Sequence, residues 1–104
     1  MFVRIWRFQA RPDRLTEFRS AYGALGEWAR LFRRARGYLG TELLESITDP
    51  TAYVTVDRWE SAEAWEAFLR AWRDDYAALD RRCEPLTLAE AEVGTFQAPA
   101  GAAP

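Results

Sequence analysis

Twice along this chain an apolar pattern of period two gives way to a stripe at three- and four-residue spacing, and this alternation of periods restricts the fold more than any other feature. In the opening stretch FVRIWRFQ, residues 2–9, Phe2, Arg4, Trp6 and Phe8 fall on one side and Val3, Ile5, Arg7 and Gln9 on the other. Its aromatic and β-branched residues favour a strand. ARPD, residues 10–13, reads as a turn, with Asp13 placed to cap a helix. Leu15, Phe18, Tyr22, Leu25, Ala29 and Phe32 then share one helical stripe. Gly23 and Gly26 interrupt it, each costing about 1 kcal/mol relative to alanine inside a helix. A break is expected there, then a second segment over 27–35, with Gly37 as a left-handed stop.

YLGTELLES at 38–46 and AYVTVDRW at 52–59 read as a strand pair joined through the turn signal of Asp49 and Pro50. Ser61 can cap the next helix, whose stripe (Trp65, Phe68, Leu69, Trp72, Tyr76, Leu79, Cys83) runs on to Pro85. Thr87 and Glu90 fit a capping box, so a short helical turn is expected before a last strand at 91–97.

The order strand, helix, strand, strand, helix, strand is that of an α+β, ferredoxin-like split βαβ domain over 1–97. It predicts a four-stranded antiparallel sheet in the order 4-1-3-2 with both helices on one face. Residues 98–104 are expected to form a disordered Pro/Ala-rich tail. The sheet face away from the helices would present Val3, Ile5, Val54 and Val56 or the opposite set. A second copy is the expected cover, giving a homodimer through sheet faces.

Composition removes whole classes of chemistry. The 104 residues carry a net charge of −2 and no dominant basic block, which argues against nucleic-acid binding. No apolar run approaches the ~20 residues of a membrane span. Arginines break up the apolar positions of the first ten residues, unlike a secretory signal, so a cytoplasmic location is expected. Histidine, lysine and asparagine are all absent. That removes Ser–His and Cys–His catalysis, histidine-held zinc or haem, and Schiff-base chemistry. Cys83, the single cysteine, lies on the helical stripe as an inert buried thiol.

Four stretches together resemble the antibiotic biosynthesis monooxygenase domain of the dimeric α+β barrel superfamily. They are the opening strand running into Arg-Pro-Asp, YGALGEWARLFRRARGYLGTELL, DRWESAEAWEAF, and the closing LTLAEAEVGTF. The resemblance spans nearly all of 2–97. It implies a dimer with a pocket between sheet and helices in each subunit, and members that oxidise aromatic polyketides or quinols without a cofactor. Trp59 matches the family's pocket-lining tryptophan at the end of the third strand. Haem-degrading members use a histidine that would fall near Leu69, and this chain has none; nor does it have the asparagine used by several active members.

The candidate residues follow. Trp59 is either a ring sealing the core or the wall on which a planar substrate stacks. Trp65 and Phe68, on the second helical stripe, are core by spacing, with Trp65 the one expected to face a cavity. Tyr22, Trp28 and Phe32 flank or follow the Gly23–Gly26 break, which is a kink or a pocket mouth. Asp57 shares a strand face with Tyr53 and Trp59, and Arg4 shares one with Trp6. The plain reading of Arg4 and Asp57 is a satisfied cross-strand ion pair. The chemical reading makes Asp57 a base and Arg4 a cation holding a substrate anion, with Trp59 beside them and Tyr53 as a donor to oxygen. Trp6, Tyr22, Trp28, Phe32, Trp65 and Phe68 would then hold the rings. A one-residue slip in register would turn the polar set to the other side. The expected activity is cofactor-free monooxygenation of a small phenolic, anthrone- or quinol-like molecule, with no metal. The alternative is a non-catalytic binding or oligomerisation module of the same fold.

Overall fold

Strict alternation in AYVTVDRW resolves into one buried and one half-buried face: Tyr53, Thr55, Asp57 and Trp59 are buried, while Val54, Val56 and Arg58 are only partly covered. The computed structural model describes residues 1–101. In chain order it contains β1 (Phe2–Ala10), a 3-10 turn (Pro12–Arg14), α1 (Leu15–Tyr22), α2 (Glu27–Phe32), β2 (Tyr38–Glu45), β3 (Ala52–Trp59), α3 (Ala62–Ala71), α4 (Arg73–Cys83), a second 3-10 turn (Glu84–Leu86) and β4 (Thr87–Gln97). The sheet order is β2-β3-β1-β4 with every pairing antiparallel. This is the expected split βαβ topology, 4-1-3-2 read from the other edge. Among the described residues no helix is long and apolar enough to cross a membrane.

The helices cover one face only. Phe8, Tyr53 and Trp59 from the sheet meet Phe18, Phe32 and Phe68 from the helices in a core made largely of rings. The opposite face carries Val3, Ile5, Val54 and Val56, each half-buried, beside an Arg58–Glu42 ion pair. The break at Gly23–Gly26 is present, and Ser61 caps α3, its hydroxyl accepting the Ala64 N–H at 3.1 Å.

Four local expectations give way to tertiary structure. The helical turn expected at Thr87–Glu90 is strand: Thr87 already pairs with Ala10, because β1 offers backbone partners along its whole length. The helix after Ser61 does not run unbroken to Pro85. Trp72 (φ −124°) divides it, stacking on Phe68 while Asp74 and Asp75 start a new helix with favourable charge. Asp13 does not cap α1. It lies in the 3-10 turn and pairs with Arg11 at 3.2 Å, leaving Arg14 at the cap position. The second helical segment ends at Phe32, and Gly37, left-handed at φ 86°, instead admits the chain to β2. Of the expected tail, residues 98–101 lie outside the sheet and finish in a turn, while 102–104 fall outside the described residues.

Candidate active site

Between the covered sheet face and the helices lies a cavity of about 130 Å³. β1 contributes Arg4, Trp6 and Phe8, and β3 contributes Thr55 and Asp57. Tyr22, Trp28, Phe32 and Tyr76 supply aromatic walls from the helical side. Thr41, Asp80 and Glu90 complete the lining. The strand period of two aims residues 4, 6 and 8 of β1 and 55 and 57 of β3 at the same layer. The register sets Arg4 directly opposite Asp57 and Trp6 opposite Thr55.

Asp57 is 6% exposed. Burial raises its pKa above the ordinary 3.8, opposed by a hydrogen bond from Thr41 and by the charge of Arg4. Thr41 donates to Asp57 Oδ1 at 2.6 Å, and the Tyr38 hydroxyl lies 2.7 Å from Thr41 Oγ1. With the Thr41 proton on Asp57, Tyr38 is the donor of that second bond, so a short chain of hydroxyls ends on the carboxylate. A bulge between Tyr38 and Gly40 makes this possible. The extra residue lets Tyr38 oppose Trp59 while Thr41 opposes Asp57, and Gly40 takes φ 143° at the irregularity.

Arg4 is 7% exposed. Its guanidinium sits 3.7 Å from the Trp65 ring centroid, a cation–π contact. Among the described residues Arg4 makes no ion pair; Asp57 lies across the strand but its oxygens are not within 4.0 Å. A buried cation resting on a ring, without a carboxylate at contact distance, retains capacity for an incoming anion. Its charge also reaches Tyr76, whose phenol burial pushes up and Arg4 draws back down. Trp28, 8% exposed, meets Tyr76 edge-on at 4.9 Å, and its buried indole N–H has no hydrogen-bond partner.

Of the residues expected at the site, Arg4, Trp6, Tyr22, Trp28, Phe32 and Asp57 come together on the cavity wall. Trp59, Tyr53, Trp65 and Phe68 do not line it. Trp59 is fully buried among Phe32, Tyr38, Trp65 and Phe68, with centroids 5.3–5.5 Å away. Tyr53 turns to the far end of β3, where its hydroxyl accepts from Arg19 and donates to Glu45, both at 2.9 Å. Trp65 is taken up as the platform for Arg4, and Phe68 is core at 1% exposure.

Sequence reasoning missed Thr41, because the bulge before it defeats simple alternation. It also missed Asp80, one helical turn after Tyr76 on the same face of α4. Glu90 was hidden by the capping-box pattern. Among the described residues no group of three histidine, cysteine, aspartate or glutamate side chains could hold a metal ion.

Residues 1–81 match the family model for antibiotic biosynthesis monooxygenase. No curated protein matches the chain. Among solved structures, a variant of SnoaB, a cofactor-independent oxygenase from Streptomyces nogalater, superposes with a TM-score of 0.74 at 21% identity, covering 93% of this chain and 91% of that one. A protein of Bordetella bronchiseptica described as a candidate antibiotic biosynthesis monooxygenase gives 0.74 at 22% identity, with 94% and 96% coverage. One of Deinococcus radiodurans, described in the same words, gives 0.77 at 14% identity, with 99% and 97% coverage. At these identities the likeness is one of fold.

Proposed function

This chain belongs to the antibiotic biosynthesis monooxygenase family, and from that premise we propose that it oxidises a small phenolic or quinol-like aromatic with molecular oxygen, without a bound cofactor. The observation that carries this reading is a buried carboxylate, Asp57, facing an aromatic cavity opposite a buried cation that no carboxylate neutralises at contact distance.

Triplet oxygen reacts slowly with a neutral ring but accepts an electron from a phenolate. Asp57 takes the phenolic proton, and its raised pKa makes it a better base than an exposed carboxylate. Arg4 holds the phenolate, in a setting where water is largely excluded and its charge counts for more. The anion reduces oxygen by one electron, and the radical pair closes a carbon–oxygen bond to give a peroxide anion, which Asp57 reprotonates. Asp57 then removes the proton from the oxygenated carbon as the O–O bond breaks, and passes that proton to the departing hydroxide, which leaves as water. One oxygen atom stays as a ring carbonyl and the other becomes water, so a phenol becomes a quinone. Thr41 holds Asp57 in place through these proton transfers. Trp6, Phe8 and Phe32 limit the ring to a few orientations.

Oxygen uptake with a panel of phenols, hydroquinones and anthrones tests the reading against autoxidation without protein. Uptake above that baseline, with label from ¹⁸O₂ in the product, is the expected result. Binding seen as quenched tryptophan fluorescence, with no uptake for any compound, would instead establish the non-catalytic alternative.

We further propose that the chain works as a homodimer through its open sheet face. Leu44 and Phe96 stand on that face beside the four half-buried aliphatic residues, 49% and 48% exposed. Light scattering is expected to give twice the mass of one chain, and Ile5→Glu to give a monomer that is still folded. A wild-type monomer at micromolar concentration would remove this part of the proposal.

A further inference from the structure

We infer that the cavity takes a single-ring phenol bearing an ammonium group rather than a carboxylate, and that Asp80 and Glu90 set this preference. The inference rests on the reading of the cavity as a substrate site and narrows it to a substrate class.

Size gives the first restriction. A cavity of about 130 Å³ is close to the ~150 Å³ that accommodates benzene in an apolar protein interior. It has room for one ring, with a substituent lying toward the open mouth.

Charge gives the second. Three carboxylates line the cavity, Asp57, Asp80 and Glu90, against one cation, Arg4. Arg4 faces Asp57 across the sheet without contact, so one cation and one carboxylate are matched at that end. Asp80 and Glu90 are not: neither forms an ion pair among the described residues. Asp80 also acts on Glu90. The Glu90 carboxyl is held above the ordinary range by partial burial and then by the negative charges of Asp80 and Glu84. A cation seated between them would relieve that repulsion, whereas a substrate carboxylate would add another like charge.

The walls suit the same ligand. Trp28 and Tyr76 stand edge to face on the cavity, and an ammonium group at a ring face gains cation–π attraction. The phenol would thus lie toward Asp57 and Arg4, and the ammonium toward Asp80 and Glu90.

The test measures binding, so it does not depend on turnover. Affinities of three hydroquinones, carrying a methyl, a 2-aminoethyl or a carboxylate substituent, are read by tryptophan quenching and calorimetry under nitrogen. The wild-type chain is compared with Asp80→Asn/Glu90→Gln, with circular dichroism confirming the fold. The aminoethyl compound is expected to bind about fivefold to tenfold more tightly than the methyl compound, and the carboxylate at least about tenfold more weakly. In the double variant all three should fall within roughly twofold to threefold. Equal affinities in the wild type, a preference that survives the double substitution, or no binding by any of the three would overturn the inference. Oxygen uptake on the methyl compound, measured separately, reports on the oxygenase reading. Uptake without charge preference would remove only the present inference. Charge preference without uptake would remove only the oxygenase.

Discussion

Replacing Asp57 with asparagine is expected to abolish turnover and, at neutral pH, to raise the melting temperature. Loss of a general base costs about 10²–10⁴-fold in kcat, and asparagine can accept the Thr41 hydrogen bond but not a proton. The stability gain follows from linkage. Burial raises the folded-state pKa of Asp57 above its ordinary 3.8, so the folded chain holds this proton more tightly than the unfolded chain does. The resulting stabilisation is complete below the unfolded carboxylate value and is lost as pH rises through the folded value. At pH 7 the wild type folds around a poorly hydrated carboxylate, and the asparagine variant does not. Thermal melts at pH 7 and at pH 3.5 should show the gain shrink toward zero at the acid end. The same shift places the acid limb of wild-type kcat above that of an unperturbed carboxylate. A variant that retains kcat within a few-fold, or that melts lower than wild type at pH 7, would refute this role for Asp57.

Trp59→Ala is expected to be the most damaging single substitution to the fold. The ring is fully buried and touches four other aromatic rings. Truncating such a side chain costs about 3–5 kcal/mol, because the hole left by the ring cannot close when its walls are themselves rigid rings. Total stability for a domain of this kind is about 5–15 kcal/mol. A fall in melting temperature of roughly 15–30 °C follows from the usual entropy of unfolding at this length. Urea denaturation at an unchanged slope would confirm it. Trp59→Phe separates packing from substrate contact: it should lower stability by about 1–2 kcal/mol and leave KM within roughly twofold. A large rise in KM with little loss of stability would show that the ring touches substrate after all.

The strand and helix order was legible because each element buries one face and so carries its period openly. Arg4, Trp6 and Asp57 were legible for the same reason, since a regular strand fixes which side they face. Thr41 was not, because a bulge is one extra residue with no side-chain signature beyond a nearby glycine. The placing of Trp59 and Trp65 was illegible for a different reason. Both are large rings next to the site, and which of them meets a cavity depends on how Arg4 packs. Arg4 settles over Trp65, and Trp59 is sealed behind both. At the end of α4 the local cap chemistry of Thr87 and Glu90 competed with a waiting strand, and backbone pairing with β1 prevailed.

Both edges of the sheet are irregular and acidic. β2 bulges at Gly40 and carries Glu42 and Glu45; β4 shifts register beside Gly94 and carries Glu90 and Glu92. Bulges and charges on an outer strand discourage backbone pairing with another chain. Lateral growth of the sheet into open-ended aggregates is therefore opposed at two borders. The apolar face between them is left for the proposed contact, and a face-to-face contact between identical copies closes on itself after one partner. In the homodimer proposed above, a chain this rich in exposed strand would form a finite assembly rather than a fibre.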